Sequence, residues 1–392
     1  MTSEWHEVPL RELVGYISKG IAPSYAEEAS ESTIRVLNQK CNRNFRISYG
    51  DSRLHDTWKK KVPPERYVKP DDILINSTGA GTAGRIAQIE DVPSATTIDG
   101  HMILIRSNGK VTQKFLGYAL KAHQWEVLQL DEGSTGQTEL NRDRLLDEIM
   151  INYPVSLDEQ NAIVGTLESI DRKLIVNEQL NDNLQQQAAA LFSSLYDRTN
   201  TEVRFTDLIQ ILGGGTPKTG ENTYWNGNIA FFTPKDVGTP YTLITEKTIT
   251  EEGLSHCNSR LYPVNTVFVT ARGTVGKVGM SGVPMAMNQS CYALVGKETH
   301  QLLVYFYTLK AVDRLKHKAS GAVFDAITTK DFESEQIMKL SDDDARAFLC
   351  IAEPMFQKVL NNCIENLRLS TLRDSLLPKL MSGEIDVSAV QL

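Results

Sequence analysis

The stretch LESIDRKLIVNEQLNDNLQQQAAALFSSL, residues 167–195, decides the fold. Leu167, Ile170, Leu174, Leu184, Ala188, Leu191 and Leu195 fall at alternating spacings of three and four, with Asn177 and Asn181 at the two remaining seam positions. This is the a/d pattern of a coiled-coil helix. It returns in residues 352–380 as Ala352, Met355, Val359, Asn362, Asn366, Leu369, Arg373, Leu376 and Leu380. Both helices carry two asparagines at matching places. An antiparallel pair with Asn177 facing Asn366 and Asn181 facing Asn362 dictates the other layers: Leu174 with Leu369, Leu167 with Leu376, Leu184 with Val359, Ala188 with Met355, and Leu191 with Ala352. Ile170 against Arg373 is the mismatch. A slipped register would set the amides against leucine, so the asparagines are expected to hold the register. Pro354 and Pro378 are expected to break or kink the second helix, since proline removes an amide donor.

Each helix closes one half of a tandem repeat. VPLRELVGYISKG at 8–20 resembles VRFTDLIQILGGG at 203–215, with Leu13 on Leu208, Ile17 on Leu212 and Gly20 on Gly215. IRVLNQK at 34–40 pairs with IAFFTPK at 229–235, and TIDGHMILIR at 97–106 with MNQSCYALVG at 287–296. Aromatic-rich helices are expected at 113–129 and 301–317, followed by small-residue loops at 132–140 and 319–327.

Between these lie KPDDILINSTGAGTAGRIA at 69–87 and YPVNTVFVTARGTVGKVG at 262–279. Gly79, Gly81 and Gly84 fit G-x-G-x-x-G, but a dinucleotide loop must open a helix, and RIAQI reads as a strand. The second copy sets Arg272 where the first glycine would be. Both segments are therefore read as strand–turn–strand hairpins, with Arg85, Arg272 and Lys277 at the tip. Pro70-Asp71-Asp72 reads as a turn into the strand ILIN rather than the start of a nuclease motif, since Pro263-Val264-Asn265 keeps neither acid.

The chain has 392 residues and a net charge of −8. The charge is uneven: residues 35–69 hold ten basic and three acidic side chains, and 204–330 hold thirteen against nine. A nucleic-acid footprint needs only such local patches. Five scattered cysteines with no C-x-x-C pair argue for a reduced compartment and no structural metal, the adjacent His256 and Cys257 notwithstanding. No apolar run approaches a membrane span, and MTSEWHEVPL lacks a signal-peptide core, so a cytoplasmic protein with no membrane partner is expected. The expected fold class is α+β: two repeated α/β domains, each followed by a long helix, the helices forming an antiparallel coiled coil. The expected divisions are 1–153, 154–200, 201–340 and 341–392. A helix over 168–196 would be about 43 Å long, the length of about twelve base pairs.

The chain resembles the specificity (S) subunit of type I restriction–modification systems, the HsdS family. The stretches that carry the resemblance are ISKGIAPSY at 17–25, LNQKCNRNFRI at 37–47, GGGTPKTGENTYWNGNIAFFTPKDV at 213–237, the helix start at 153–160 with Pro154, Glu159 and Gln160, and LRDSLLPKLMSGEIDV at 372–387. The second helix start, KLSDDDARAF at 339–348, departs by lacking the proline and the Glu-Gln pair. The resemblance implies two target recognition domains, each reading one part of a split double-stranded DNA sequence, with the helices setting the spacer. It implies no catalysis and no cofactor in this chain. S-adenosylmethionine, ATP and Mg would belong to partners: two modification subunits that methylate adenine, and restriction subunits that translocate and cleave DNA.

Side chains suited to phosphates and base edges are then candidates. In the first half they are Lys40, Arg43, Asn44, Arg46, Lys59, Lys60, Lys61, Ser77, Thr78 and Arg85. In the second they are Thr216, Lys218, Tyr224, Trp225, Lys235, Arg272, Thr274, Lys277, Asn288 and Gln289. Lysines favour phosphates, whereas Arg43, Arg272, Asn288 and Gln289 have the geometry to read guanine or adenine. For Trp58, Tyr224 and Trp225 two roles compete, core or loop anchor and base stacker, and the anchor is favoured. The competing readings are a single-chain nuclease or methyltransferase, and a coiled-coil adaptor that does not touch DNA. Neither an amino-methyltransferase motif, a Walker A loop nor H-E-x-x-H is present.

Overall fold

A computed structural model describes residues 4–132, 139–238, 240–318 and 326–390. The chain divides into two compact units, residues 1–173 with 369–392, and residues 174–368. Each long helix, Leu157–Tyr196 and Asp342–Met381, contributes to both. The small-residue loops expected at 132–140 and 319–327 fall largely outside the described residues.

In the first unit an antiparallel sheet runs Val14–Lys19, Met102–Ser107, Ile73–Asn76, Ile86–Gln88. The run Ile73–Leu74–Ile75 is apolar throughout because both sheet faces are covered. Ile73 and Ile75 face a cluster with the helix Gln113–Ala122, while Leu74 joins another with Leu37, Ile98 and Leu104. Leu37 and Ile98 come from a second sheet, ordered Thr96–Ile98, Thr33–Leu37, Arg53–Asp56, Tyr25–Ala26. The second unit repeats the plan. Val267 and Val269 face the helix Gln301–Lys318, and Phe268 faces Phe232 and Met287. Trp5–Pro9 pairs with Met150–Pro154, as Glu202–Arg204 pairs with Gln336–Met338.

The repeat register differs from the sequence alignment in three places. A β-bulge at Gly15 adds one residue to the strand Val14–Lys19, since Arg106 pairs with Tyr16 and Ser107 with Val14. Leu13 therefore matches Leu208, but Gly20 matches Gly214 rather than Gly215, and Ile17 matches Ile211 rather than Leu212. Both Gly20 and Gly214 sit where a Cβ would meet a carbonyl oxygen, at 2.1 Å from that of Asp99 and 2.2 Å from that of Asn288. Those contacts also pair Asp99 with Asn288, one residue off the expected alignment. In the hairpins, Arg272 stands on Thr78, not on a glycine: the amide of Ser77 bonds the His101 carbonyl as that of Ala271 bonds Ser290. Gly79 and Gly273 then coincide, with φ of 112° and 82°, and Gly84 and Gly276 with 81° and 74°. These left-handed positions are why the glycines recur. Asp71 and Asn265 likewise adopt φ of 67° and 69°. Short polar side chains such as these tolerate the left-handed conformation better than other non-glycine residues.

The long helices show the expected seam. In the second unit Asn177 Nδ2 donates to Asn366 Oδ1 at 2.8 Å, and Asn362 Nδ2 donates to Asn181 Oδ1 at 2.8 Å. Rising numbers on one helix meet falling numbers on the other, so the segments are antiparallel. Leu184, Ala188 and Leu191 share one apolar cluster with Val359, Met355 and Ala352. In the first unit Leu167 and Leu376 share another. Arg373, mismatched in sequence, turns its guanidinium to Asp171 Oδ1 at 2.9 Å. Asp171 also accepts from Tyr118 at 2.9 Å and from Lys121 at 3.2 Å. Burial alone would raise the Asp171 carboxyl, but Lys121, Arg373 and the Tyr118 hydroxyl hold it below its ordinary value. Burial pushes the Lys121 ammonium down.

The expected break at the prolines does not occur: Asp342–Met381 is one helix of 40 residues. Pro354 and Pro378 lie on its exposed face, as do Cys350 and Asp374, whose carbonyls lose their helical donors to the proline rings and face water. Ala352, Phe356 and Val359 on the other face, and Leu377, Leu380 and Met381 further on, are buried and hold the helix line. The helix starts also differ. Gln160 is buried, accepting from the Thr112 amide at 2.8 Å and donating to the Pro154 carbonyl at 2.9 Å. The second helix lacks this residue; there the Tyr307 hydroxyl accepts from the Leu340 amide at 3.0 Å, and Ser341 caps Asp344.

Candidate nucleic-acid interface

In each unit the polar candidates collect where strands of the two sheets end. In the first unit the tight turn after Thr33–Leu37 brings Gln39 and Lys40 against the glycine loop. A Cβ on Gly79 would come within 2.6 Å of Gln39 Oε1. Thr78 Oγ1 pairs with His101 Nδ1 at 2.8 Å, and Ile21 bridges Asp99. Asp99 is buried, which pushes its carboxyl up, although it accepts from the His101 amide.

A small hairpin extends this rim. Asn42–Arg43 pairs with Arg46–Ile47, and the two turn residues, Asn44 and Phe45, both have positive φ, 54° and 61°. A two-residue turn of this hand suits asparagine but strains phenylalanine. The strain is held by packing, since Phe45 lies against the main apolar cluster with Lys121 Nζ 5.0 Å from its ring centroid. The outcome is a rigid tip that exposes Arg43 and Asn44. The hairpin and the glycine loop enclose a groove of about 740 Å³ bordered by Lys40, Arg43, Asn44 and Arg85. Sequence reading missed several of its polar members, Asn42 and Gln124 among them. Asn42 Nδ2 bonds the Arg85 carbonyl at 2.8 Å, and Gln124 Nε2 bonds the Gly84 carbonyl at 2.7 Å, so both brace the loop. Two polar residues far apart in sequence carry no local signal of this.

The second unit builds its rim from the equivalent ends. Thr216 Oγ1 donates to Gln289 Oε1, and Thr274 Oγ1 donates to the Pro234 carbonyl at 3.1 Å. Arg272 and Lys277 are exposed on the glycine loop, and Lys235 is exposed beside Glu246 at 3.6 Å. Asn288 turns its Oδ1 back to the Ser290 amide, and Lys218 is exposed on the adjoining segment. Lys277 and Arg85 occupy equivalent positions, each supplying the carbonyl that closes its hairpin.

Not all candidates belong to these rims. Ser77 is buried, its hydroxyl 3.5 Å from the Gly100 carbonyl, so it supports the loop from beneath. Tyr224 stacks on His256 at 4.9 Å, and the Trp225 indole donates to the Lys218 carbonyl at 3.1 Å, so both rings make contacts within their own loops. Trp58 is not an anchor: it is 81% exposed, on a loop shared with Lys59, Lys60 and Lys61. Arg46, half buried on the hairpin, has a partner of its own.

The sites that would suggest an enzyme are accounted for differently. Asp72 is buried and forked by Arg106, whose Nε and Nη2 lie 2.7 Å from the two carboxylate oxygens. Arg106 also bonds the Glu65 and Tyr67 carbonyls, so Asp72 is a structural counter-ion. Burial pushes the Cys291 thiol up to about 12, which makes it a poor nucleophile. Among the described residues no group of three or more His, Cys, Asp or Glu side chains is placed to hold a metal ion. No described helix is long and apolar enough to cross a membrane.

Known proteins share parts of this chain. It is 31% identical over 127 residues to the type I restriction enzyme MjaIX specificity subunit of Methanocaldococcus jannaschii, covering 31% of this chain and 29% of that protein. It is 28% identical over 186 residues to the HindI specificity subunit of Haemophilus influenzae, covering 46% of this chain and 40% of that protein. The matches thus span less than half the length of these relatives. The fold is similar to the crystal structure of the type I restriction–modification S subunit from M. genitalium, with a TM-score of 0.62 at 17% identity, over 97% of this chain and 96% of that one. The profile of the type I restriction modification DNA specificity domain matches twice, over residues 2–186 and 198–339, one match for each half of the repeat, and the chain belongs to that family.

Proposed function

We propose that this protein is the sequence-reading, non-catalytic subunit of a type I restriction–modification assembly. Each unit reads one part of a split duplex DNA sequence with its strand-end rim. The helix pair, locked by its asparagine layers, sets the gap between the two parts. The observation that carries this reading is the duplication of a cationic rim on a glycine loop: Arg85 with Lys40 in one unit, Lys277, Arg272 and Lys235 in the other. Lysines there would neutralise phosphates, and Arg43, Arg272 and Gln289 would read base edges. The partners are two modification subunits, which would bring S-adenosylmethionine and methylate adenine, and restriction subunits using ATP and Mg. Recognition regions of 1–153 and 201–340 separated by helical regions 154–200 and 341–392 fit this division of labour.

The test is methylation mapping in cells that express this chain with its modification partner. A two-part motif with a constant gap and adenine marks on both strands is expected. Marks at a continuous motif, or methyl transfer by the purified chain alone, would refute the proposal.

A further inference from the structure

The two units differ in chemistry just after equivalent strands. Ile34 pairs with His55 as Ile229 pairs with Ile249. The chain then runs Asp56-Thr57-Trp58-Lys59-Lys60-Lys61 in the first unit and Thr250-Glu251-Glu252-Gly253-Leu254-Ser255 in the second. An acidic helix in one unit is replaced in the other by an aromatic followed by three cations, the first of which, Lys59, lies 3.9 Å from the Asp56 carboxylate.

That basic loop is pinned by hydrogen bonds. The Asp56 carboxylate accepts from the Trp58 amide at 2.9 Å. The Thr57 hydroxyl donates to the Ser32 carbonyl at 2.7 Å. His55, fully buried, accepts at Nδ1 from the Ser24 amide at 2.9 Å, which leaves Nε2 to donate to the Lys60 carbonyl at 2.7 Å. Lys60 Nζ reaches the Ala22 carbonyl at 2.8 Å, next to Ile21, which bridges Asp99 of the rim. The loop thus adjoins the rim, yet its indole lies bare. A pinned loop that holds an indole in water gains nothing within the unit from that exposure. Its charge complements a polyanion, and its ring presents a face for stacking.

We propose that Trp58, with Lys59 and Lys61, forms a second DNA contact that exists only in the first unit. The lysines hold phosphates beside the first half of the target, and the indole packs against a partly unstacked base step there. This inference rests on the DNA-reading function proposed above.

The experiment uses the chain assembled with its modification partner and a duplex carrying the mapped target, with 2-aminopurine placed singly along the flank of the first half. The wild-type assembly should brighten 2-aminopurine at one step. Trp58→Ala should abolish that signal and weaken binding roughly tenfold with the salt dependence unchanged. Trp58→Phe should keep both properties. Replacing Lys59 and Lys61 together by alanine should lower the slope of log affinity against log salt by about two and leave the signal in place. Unchanged affinity and fluorescence in Trp58→Ala would overturn the proposal. So would loss of the modification partner on purification, which would make the loop a protein-docking surface. If the wild-type assembly does not retain the duplex at low salt, the DNA-reading function falls, and this contact with it.

Discussion

Replacing Asn362 by leucine removes the donor to Asn181 Oδ1, a 2.8 Å bond inside the seam. Asn362 is fully buried and Asn181 nearly so, so the acceptor left behind has no water to turn to. An unsatisfied buried polar group costs about 1–3 kcal/mol. The reciprocal variant Asn181→Leu strands Asn362 in the same way, and its cost should be similar. The double variant strands neither. It buries two leucines in facing positions, each worth about 1.5–3 kcal/mol of transfer, so it should equal or exceed the wild type in stability. The two single costs add to about 2–6 kcal/mol while the double variant loses nothing, so the coupling between the two sites is expected to be about 2–6 kcal/mol, readable from urea melts of all four proteins followed by far-UV circular dichroism. Stability is half of the argument; register is the other. With one of the two amide layers gone, the double variant should methylate targets with a broadened range of gaps in the mapping assay. Additive single effects would show that the asparagines do not depend on each other. Retention of a single gap by the double variant would remove register from their role.

Further outcomes follow from other parts of the molecule. Asp171→Asn leaves the half-buried Lys121 without its anion and Arg373 with Asp374 alone, and should destabilise the protein by about 1–3 kcal/mol, measured by the same melts. Because the Asp171 carboxyl is held below its ordinary value of 3.8, its stabilising contribution is complete above that value and is lost as pH falls through the depressed one. The variant should lack that part of the acid limb, and an unchanged acid limb would discount the cluster. Arg272→Ala should cost about 1–3 kcal/mol of binding and relax one position of the second half-site, whereas equal weakening on all sequences would make Arg272 a phosphate contact. Deleting one heptad from each long helix, within 174–195 and its facing segment, should shorten the preferred gap between half-sites, and an unchanged gap would dispose of the helices as a ruler.

The sequence carried the features that depend on period and repetition. The 3-4 spacing named both long helices and their antiparallel asparagine pairs, because register in a seam is a one-dimensional property. The hairpin reading of the glycine loops also came from local pattern, since apolar runs on both sides of a glycine turn can form little else. Where the alignment slipped, at Gly20 and Arg272, the cause was a bulge and a loop of different length, which only strand pairing reveals. The prolines deceived because a helix interior tolerates them when the orphaned carbonyl faces water and the opposite face is packed, and facing is a tertiary property. Arg373 looked like a fault in the seam until Asp171, Lys121 and Tyr118 gathered around it. In the same way the sequence supplied the inventory of cations, but only the fold decided which of them share a rim, that Ser77 lies beneath it, and that Trp58 stands bare. Local chemistry is written along the chain, while exposure and partnership are set by contacts between residues far apart on it.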